Sequence, residues 1–295
     1  MAWIALKVDV DTLRGTQEGL PALLRLLDRH RAQATVLFSL GPDHTGWAIR
    51  RLFRPGFLGK VTRTSVVAHY GLRTLLHGLL LPAPDIGRLA RSAMRSALAS
   101  GHEGGIHAWD HVVWQDNARR KDASWTRDQM ARAFARYVDV LGQRPTTHGA
   151  AGWQMNAAAF HQIDSWGLAY ASDGRGVRPY VPSVGGITCR HVQIPTTLPT
   201  LDELIGRDGC VDGNVARRLM ALTESDRDQV YTLHAELEGG RFSHAFDALL
   251  GGWRAQGHSL VSLARIHERL VAGTLPTEEL RWGRVAGRSG ELMVG

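Results

Sequence analysis

The sequence predicts an α/β fold on a parallel sheet, either a (β/α) barrel or a doubly wound sheet. Three observations predict it. Short apolar runs of strand length alternate with longer stretches of helical period along most of the chain. Residues able to do chemistry fall at or just past the ends of those runs, where such folds gather their sites. The chain has 295 residues, 44% of them apolar, enough for a sizeable core and too apolar for disorder.

The elements follow in order. "WIALKVDV" at 3–10 reads as a strand. "EGLPALLRLLDRHR" reads as an amphipathic helix, with Leu20, Leu23, Leu24 and Leu27 on one side. "ATVLFSLG" is a second strand. "IGRLARSAMRSALASG" is a helix closed by Gly101, and "EGGIHAW" a short strand. "TRDQMARAFARYVDVLG" is a helix with Thr126 as N-cap and Gly142 as stop. "PTTHGAA", "GLAYASD", "HVQIPTT", "DQVYTLHAE" and "HSLVSLA" supply further strands, with helical stretches near 155–165, 213–223 and 244–256. One domain over 1–270 is expected, followed by a Gly- and Arg-rich tail over 271–295 that reads as loose.

One segment breaks the rhythm. Residues 44–84 hold Arg50, Arg51, Arg54, Lys60, Arg63 and Arg73 but no acid, among many leucines, valines and aromatics. That reads either as an insertion at a lipid headgroup layer or as a helical insertion packed on the domain with its arginines in water. So many aliphatic residues argue against a nucleic-acid surface. The formal charge of +7 fits an anionic partner. No apolar run approaches the ~20 residues of a spanning helix, and charged residues interrupt the first twenty positions. A cytoplasmic chain at a membrane surface is expected, with Cys189 and Cys210 reduced.

The chemistry begins with "VDVDT". Alternation puts Asp9 and Asp11 on one face of a strand, where two carboxylates repel unless a cation, a shared proton or a reaction needs them. "HAWDH" sets His107 and His111 four apart, which on a helical turn brings both imidazoles to one face. Two histidines and one aspartate make a facial ligand set with open positions, leaving the second aspartate to take a proton from water. Read alone, Asp173 before Gly174 is as much a turn residue as a functional one, and His234 is first a core histidine.

Together, "DVDT", "HAWDH", "YASD" and "TLHAE" resemble the polysaccharide deacetylase family, also called the NodB-homology or carbohydrate esterase 4 group. "DVDTLRGTQEGLPALLRLL", "SLGPDHTG", "HEGGIHAWDH", "AAGW", "SDGRG", "QIPTTLPTLDELIGRD" and "YTLHAELEG" are most similar to one branch, over about residues 1 to 265 and including the basic insertion. That branch removes formate from a formamido-arabinose joined through phosphate to undecaprenol, a step in lipid A modification and cationic-peptide resistance.

The resemblance implies a distorted (β/α) barrel and one divalent transition metal, zinc, manganese, cobalt or nickel. It implies Asp11, His107 and His111 as ligands, Asp9 as base and His234 as acid, with Asp173 orienting His234. The Ala151 N–H becomes an oxyanion donor. His148 stands, by a loose alignment, where the family often has an arginine against the base. Arg14, Arg175 and Arg207 are candidates to hold the phosphate, and Trp153, with Trp109 and Trp114, to line a sugar or lipid groove. The expected partners are the undecaprenyl-phosphate-linked formamido sugar and an anionic membrane surface, with no nucleic acid. The rival readings are a deacetylase of another N-acylated sugar or polysaccharide, and a non-catalytic anionic-lipid-binding barrel.

Overall fold

The computed structural model describes residues 2–48, 72–224, 226–271, 273–286, 288 and 290–294. Most of the basic insertion lies outside them. In chain order come β1 (Trp3–Val10), α1 (Leu20–Arg29), β2 (Ala34–Ser39), α2 (Leu72–Leu76), α3 (Ile86–Leu89), α4 (Arg91–Ala99) and β3 (Glu103–Ala108). Next are α5 (His111–Asn117), α6 (Ala123–Leu141), β4 (Thr147–His148), α7 (Ala157–Trp166), β5 (Tyr170–Ala171), β6 (Val181–Val184), β7 (Ile187–Thr188) and β8 (Val192–Gln193). The last are α8 (Leu201–Leu204), α9 (Asp212–Ala221), β9 (Gln229–His234), α10 (Ser243–Ala255), β10 (Ser259–Val261), α11 (Leu263–Arg269), β11 (Thr277–Glu279), β12 (Arg281–Gly283) and β13 (Leu292–Val294).

β1 sits centrally because both its faces are buried. It pairs in parallel with β2 on one side and β9 on the other, with Asp9 opposite Leu37 and His234. β10 joins the start of β1, and β3 and β4 continue beyond β2, all parallel. Ladder pairing stops at β4 and at β9. Single backbone bonds cross the gaps through β5 and β8: Ser172 N–H donates to His148 O, and the N–H groups of Thr197 and Leu198 to Val230 O. This is a distorted parallel barrel, bridged on one side by short strands.

Alternation then sorts the side chains. Ile4, Leu6, Val8 and Val10 of β1 face outward and join Leu20, Leu23 and Leu27 of α1 in the main core. Lys7, Asp9 and Asp11 therefore face inward. Each fully buried leucine contributes roughly 1.5–3 kcal/mol, and the outward faces together hold the shape that the polar interior cannot.

Several boundaries differ from the sequence reading. The expected helix 86–101 is two helices broken at Ala90, whose ψ of 16° interrupts the spiral. Asp122, not Thr126, caps α6, accepting from Trp125 N–H, while the Thr126 hydroxyl donates back to Asp122 O. Gly142 does end that helix, at φ 72°.

The expectation of a loose tail is corrected. β11 pairs with β6, and β12 with β13 in an antiparallel hairpin. Leu280 and Met293 enter a core shared with Trp114, Met155 and Phe160, and Val294 bridges to Arg175. Few apolar residues in a polar run suffice when they meet a ready-made apolar face.

Candidate active site

β1 ends in the interior with Asp9 at 3% and Asp11 at 7% exposure. Glu236, just past β9, holds the turn that follows. Its Oε1 accepts from the N–H groups of Asp11 and Thr12 and from the Thr12 hydroxyl. Gly15 is glycine because a Cβ there would lie 1.9 Å from Glu236 Oε1. Burial and the neighbouring Asp11 charge push the Glu236 carboxyl up to about 7.

His107 comes from the end of β3 and His111 opens α5, so the pair spans a strand-to-helix turn and not one helix face as the spacing alone suggested. Asp110 between them caps α5 through Val113 N–H and takes His44 Nδ1 at 2.5 Å. The His107 Nδ1–H donates to Gly149 O at 2.6 Å, which fixes the tautomer and leaves Nε2 toward Asp11. Nε2 lies 3.2 Å from Asp11 Oδ1, and His111 Nε2 lies 3.4 Å from Asp11 Oδ2.

Asp11, His107 and His111 therefore converge as three ligand atoms within 4.8 Å of one another. Burial would raise the Asp11 pKa, but His111 and His107 hold it well below the usual carboxylate range. The residues fit a divalent cation. The oxygens Asp9 Oδ1 and Asp11 Oδ1 are buried with no well-formed hydrogen bond, a costly state that a cation or a reacting group relieves.

Asp9 has an unexpected neighbour. Lys7, two residues earlier on the same inward face, is fully buried and sits 3.9 Å from Asp9 Oδ1. Its Nζ donates to Ser172 O at 2.8 Å. Burial lowers the Lys7 pKa, and Asp9 and Asp173 pull it back.

His148 does not reach Asp9. Register pairs it with Ile106, on the opposite face from His107, and Trp166 packs beside it. Its partner is Asp173, whose Oδ1 takes His148 Nδ1 at 2.6 Å and Ala150 N–H at 2.9 Å. Gln193 supplies the other side, donating Nε2–H to Asp173 Oδ2 and accepting Asp173 N–H.

The expected role of Asp173 as the orienter of His234 is thus corrected. Its carboxylate is engaged by His148, Ala150 and Gln193, and it braces the loop whose Gly149 carbonyl aims His107. The Asp173 carboxyl is held below the ordinary range; burial opposes this, but His148 and Gln193 outweigh it.

His234 ends β9, directly across from Asp9. Burial lowers its pKa, but Asp11, Asp202, Asp9 and Glu238 overcome that and raise it above the ordinary histidine value. Glu238 accepts from His234 N–H and from the Tyr231 hydroxyl.

Among the other sequence candidates, Ala151 and Trp153 form a short 3-10 turn after Ala150, with Trp153 at φ 53° in the left-handed region. Arg175 is buried, stacks 5.2 Å from the Trp153 ring and grips Glu203 at 2.8 and 3.0 Å. Arg14 is tied to Glu18 on the surface, and Arg207 is exposed; neither joins the cluster among the described residues.

Sequence reasoning missed Lys7, Glu236, Gln193, Glu203 and Arg288. Lys7 was detectable as a charge inside an apolar strand, in phase with Asp9. Arg288 carried no local signal.

No family model matches the chain. A Shewanella sediminis protein assigned as the 4-deoxy-4-formamido-L-arabinose-phosphoundecaprenol deformylase ArnD is 34% identical over 98% of this chain and 93% of its own length. The chain belongs to that deformylase family. A Wigglesworthia glossinidia brevipalpis protein of the same assignment is 28% identical, over 94% of this chain and 96% of its own.

Solved structures agree on the fold. One assigned as a polysaccharide deacetylase from Mycobacterium smegmatis gives a TM-score of 0.66 at 18% identity, covering 96% of this chain and 95% of that one. A family 4 acetyl xylan esterase from Clostridium thermocellum, solved with a cobalt ion, gives 0.52 at 13% identity over 90% of both. This chain thus shares the fold of those two structures.

Proposed function

We propose that this chain is a metal-dependent hydrolase that removes formate from 4-deoxy-4-formamido-L-arabinosyl undecaprenyl phosphate. The product is the free amino sugar lipid used in lipid A modification and polymyxin resistance. The observation that carries the reading is likeness to two assigned deformylases along nearly the whole chain.

In this reading Asp11, His107 and His111 hold one divalent transition metal, zinc, manganese, cobalt or nickel. When bound, it would polarise the formyl carbonyl and make the attacking water more acidic. Asp9, with Lys7 beside it, takes the proton from that water as its oxygen bonds to the formyl carbon. The Ala151 N–H, in the turn that follows the Asp173-bound Ala150, is the donor offered to the oxyanion. His234, kept charged by the surrounding acids, gives its proton to the sugar nitrogen, the C–N bond breaks, and formate and amine part. Asp173 keeps the 149–151 loop in place for both His107 and Ala151.

The substrate is anchored in lipid, and we infer that the enzyme works at the cytoplasmic face of the inner membrane. No helix of the described residues is long and apolar enough to cross a membrane. At the described end of the basic insertion Leu80 is 80% exposed, with Leu79 and Leu81 beside it in sequence and Leu89 nine positions on, all three also exposed.

The test pairs metal content with formate release from the lipid-linked substrate. Asp9→Asn should keep metal and lose turnover by roughly 10²-fold or more. His107→Ala should lose both. Wild type that binds none of the four ions and releases no formate would overturn the reading.

A further inference from the structure

We propose that the C-terminal strap completes the site. It contributes Arg288, which forms with Arg175 a two-guanidinium clamp for the substrate's phosphodiester, against the wall made by Trp153. The identity of the anion rests on the deformylase reading; the clamp itself rests on the geometry.

Trp153 is 2% exposed, and three cations surround its ring. Arg288 stacks closest, 4.3 Å from the ring centroid, with Arg175 at 5.2 Å and Lys7 at 5.5 Å. Both arginines share Glu203: Arg175 through Nη1, and Arg288 through Nε at 2.6 Å. Arg288 Nη2 also reaches Thr200 Oγ1 at 3.4 Å and lies 3.8 Å from Asp202. Glu203 is locked in turn, because its Oε2 accepts Thr200 N–H in the capping box of α8.

These acids orient both guanidiniums on one side. Among the described residues, Arg175 is held through Nη1 and Arg288 through Nε and Nη2, all on the α8 side. Guanidiniums held this way are preorganised for the paired oxygens of a phosphate. The clamp adjoins the reaction centre: Arg288 and Asp9 lie within electrostatic reach, and Lys7 links Trp153 to Asp9. In the substrate the phosphate lies one sugar ring from the formamide, so the clamp and the base would hold two ends of one sugar phosphate. The strap earns no such role from its sequence; β12 and β13 bring it there by pairing and by Met293 packing.

Two soluble substrates test the clamp: a geranyl phosphodiester of 4-formamido-arabinose and the neutral methyl glycoside. Titration calorimetry with geranyl phosphate and with inorganic phosphate runs alongside. In Arg288→Gln the ratio of kcat/KM for phosphodiester over glycoside should fall about tenfold or more, mostly through KM, and geranyl phosphate should bind about tenfold more weakly. Arg288→Lys, which keeps charge without the fork, should recover part of both losses. Tighter binding of geranyl than of inorganic phosphate identifies the lipid-linked ester as the ligand; equal affinity overturns that assignment. An unchanged substrate ratio, or unchanged geranyl phosphate binding, in Arg288→Gln overturns the clamp and leaves Arg288 structural. No formate from either substrate, with phosphate binding still lost in Arg288→Gln, removes the deformylase reading and upholds the clamp.

Discussion

At the scale of single residues, the site is a set of buried charges that each need a reason. Asp173 shows how one is met. Its carboxylate ties His148, Ala150 and Gln193 together, so the Gly149 carbonyl stays aimed at His107. Its pKa is lowered in the folded chain, so its stabilisation is fully present above the ordinary carboxylate pKa and is lost as pH falls below that value and through the lower folded pKa. Asp173→Asn should cost about 1.5–3 kcal/mol at pH 7, the range for hydrogen bonds to charged groups. The gap from wild type should begin to narrow near the unperturbed carboxylate value, about pH 4, and shrink further as pH falls. Denaturant unfolding across pH 3–8 measures both; a gap independent of pH would mean that the charge is not what Asp173 contributes. The carboxylate pair in "VDVDT" was legible as a puzzle in the sequence, and so were His107 and His111. The partners of Asp9 and Asp173 were not, because register decided them. A shift of one position turns His148 to the outer face and leaves Lys7 inside.

At the scale of elements, the two site strands are clamped to each other through glycines. The turns Gly15–Gly19 after β1 and Leu237–Arg241 after β9 meet backbone to backbone. A Cβ on Gly19 would lie 2.1 Å from Ala235 O, and one on Gly239 would lie 2.3 Å from Gly19 O. Gly19 has an ordinary helical φ of −69°, so helix propensity alone would favour alanine by about 1 kcal/mol. The clash is with rigid backbone and exceeds that gain. Gly19→Ala should destabilise by a net 1–3 kcal/mol, roughly, and lower turnover by moving Asp11 relative to His234. A thermal melt with formate release on the same preparation checks this; a more stable, fully active variant would show that the turns separate freely. The strands themselves were readable from their apolar runs. The short ones were not bounded well, since β4, β5 and β8 keep only two residues each in ladder pairing. Where the barrel is bridged by single hydrogen bonds, apolar period cannot say where a strand ends.

At the scale of the whole molecule, two segments stand outside the barrel rhythm, and in the proposed reading both serve a lipid-borne substrate. The strap reaches the site from the far end of the chain, and a sequence reading that follows local period has no means of finding such a contact. The basic insertion was legible as an anomaly of composition: six cations, no acid, many aliphatics over residues 44–84. Its roots are joined where they leave the domain. Gly46 N–H donates to His77 O at 3.1 Å, and the Trp47 indole N–H to Gly78 O at 2.7 Å. His44 stacks on Trp47 and holds Asp110 beside His111, so the roots also touch the site. Because the two ends already meet, residues 49–71 can be replaced by a short Gly-Ser linker at small loop-closure cost. That variant should keep its melt and its bound metal. It should lose most binding to anionic vesicles, which in wild type should weaken as salt screens the arginines. Vesicle sedimentation at two salt concentrations measures it. Activity on a short-chain soluble substrate should persist while activity on vesicle-borne substrate drops, since only the latter depends on residence at the surface. If the linker variant sediments with vesicles as wild type does, the exposed leucines at 79–81 and 89 would carry the contact alone, and the insertion would need another role.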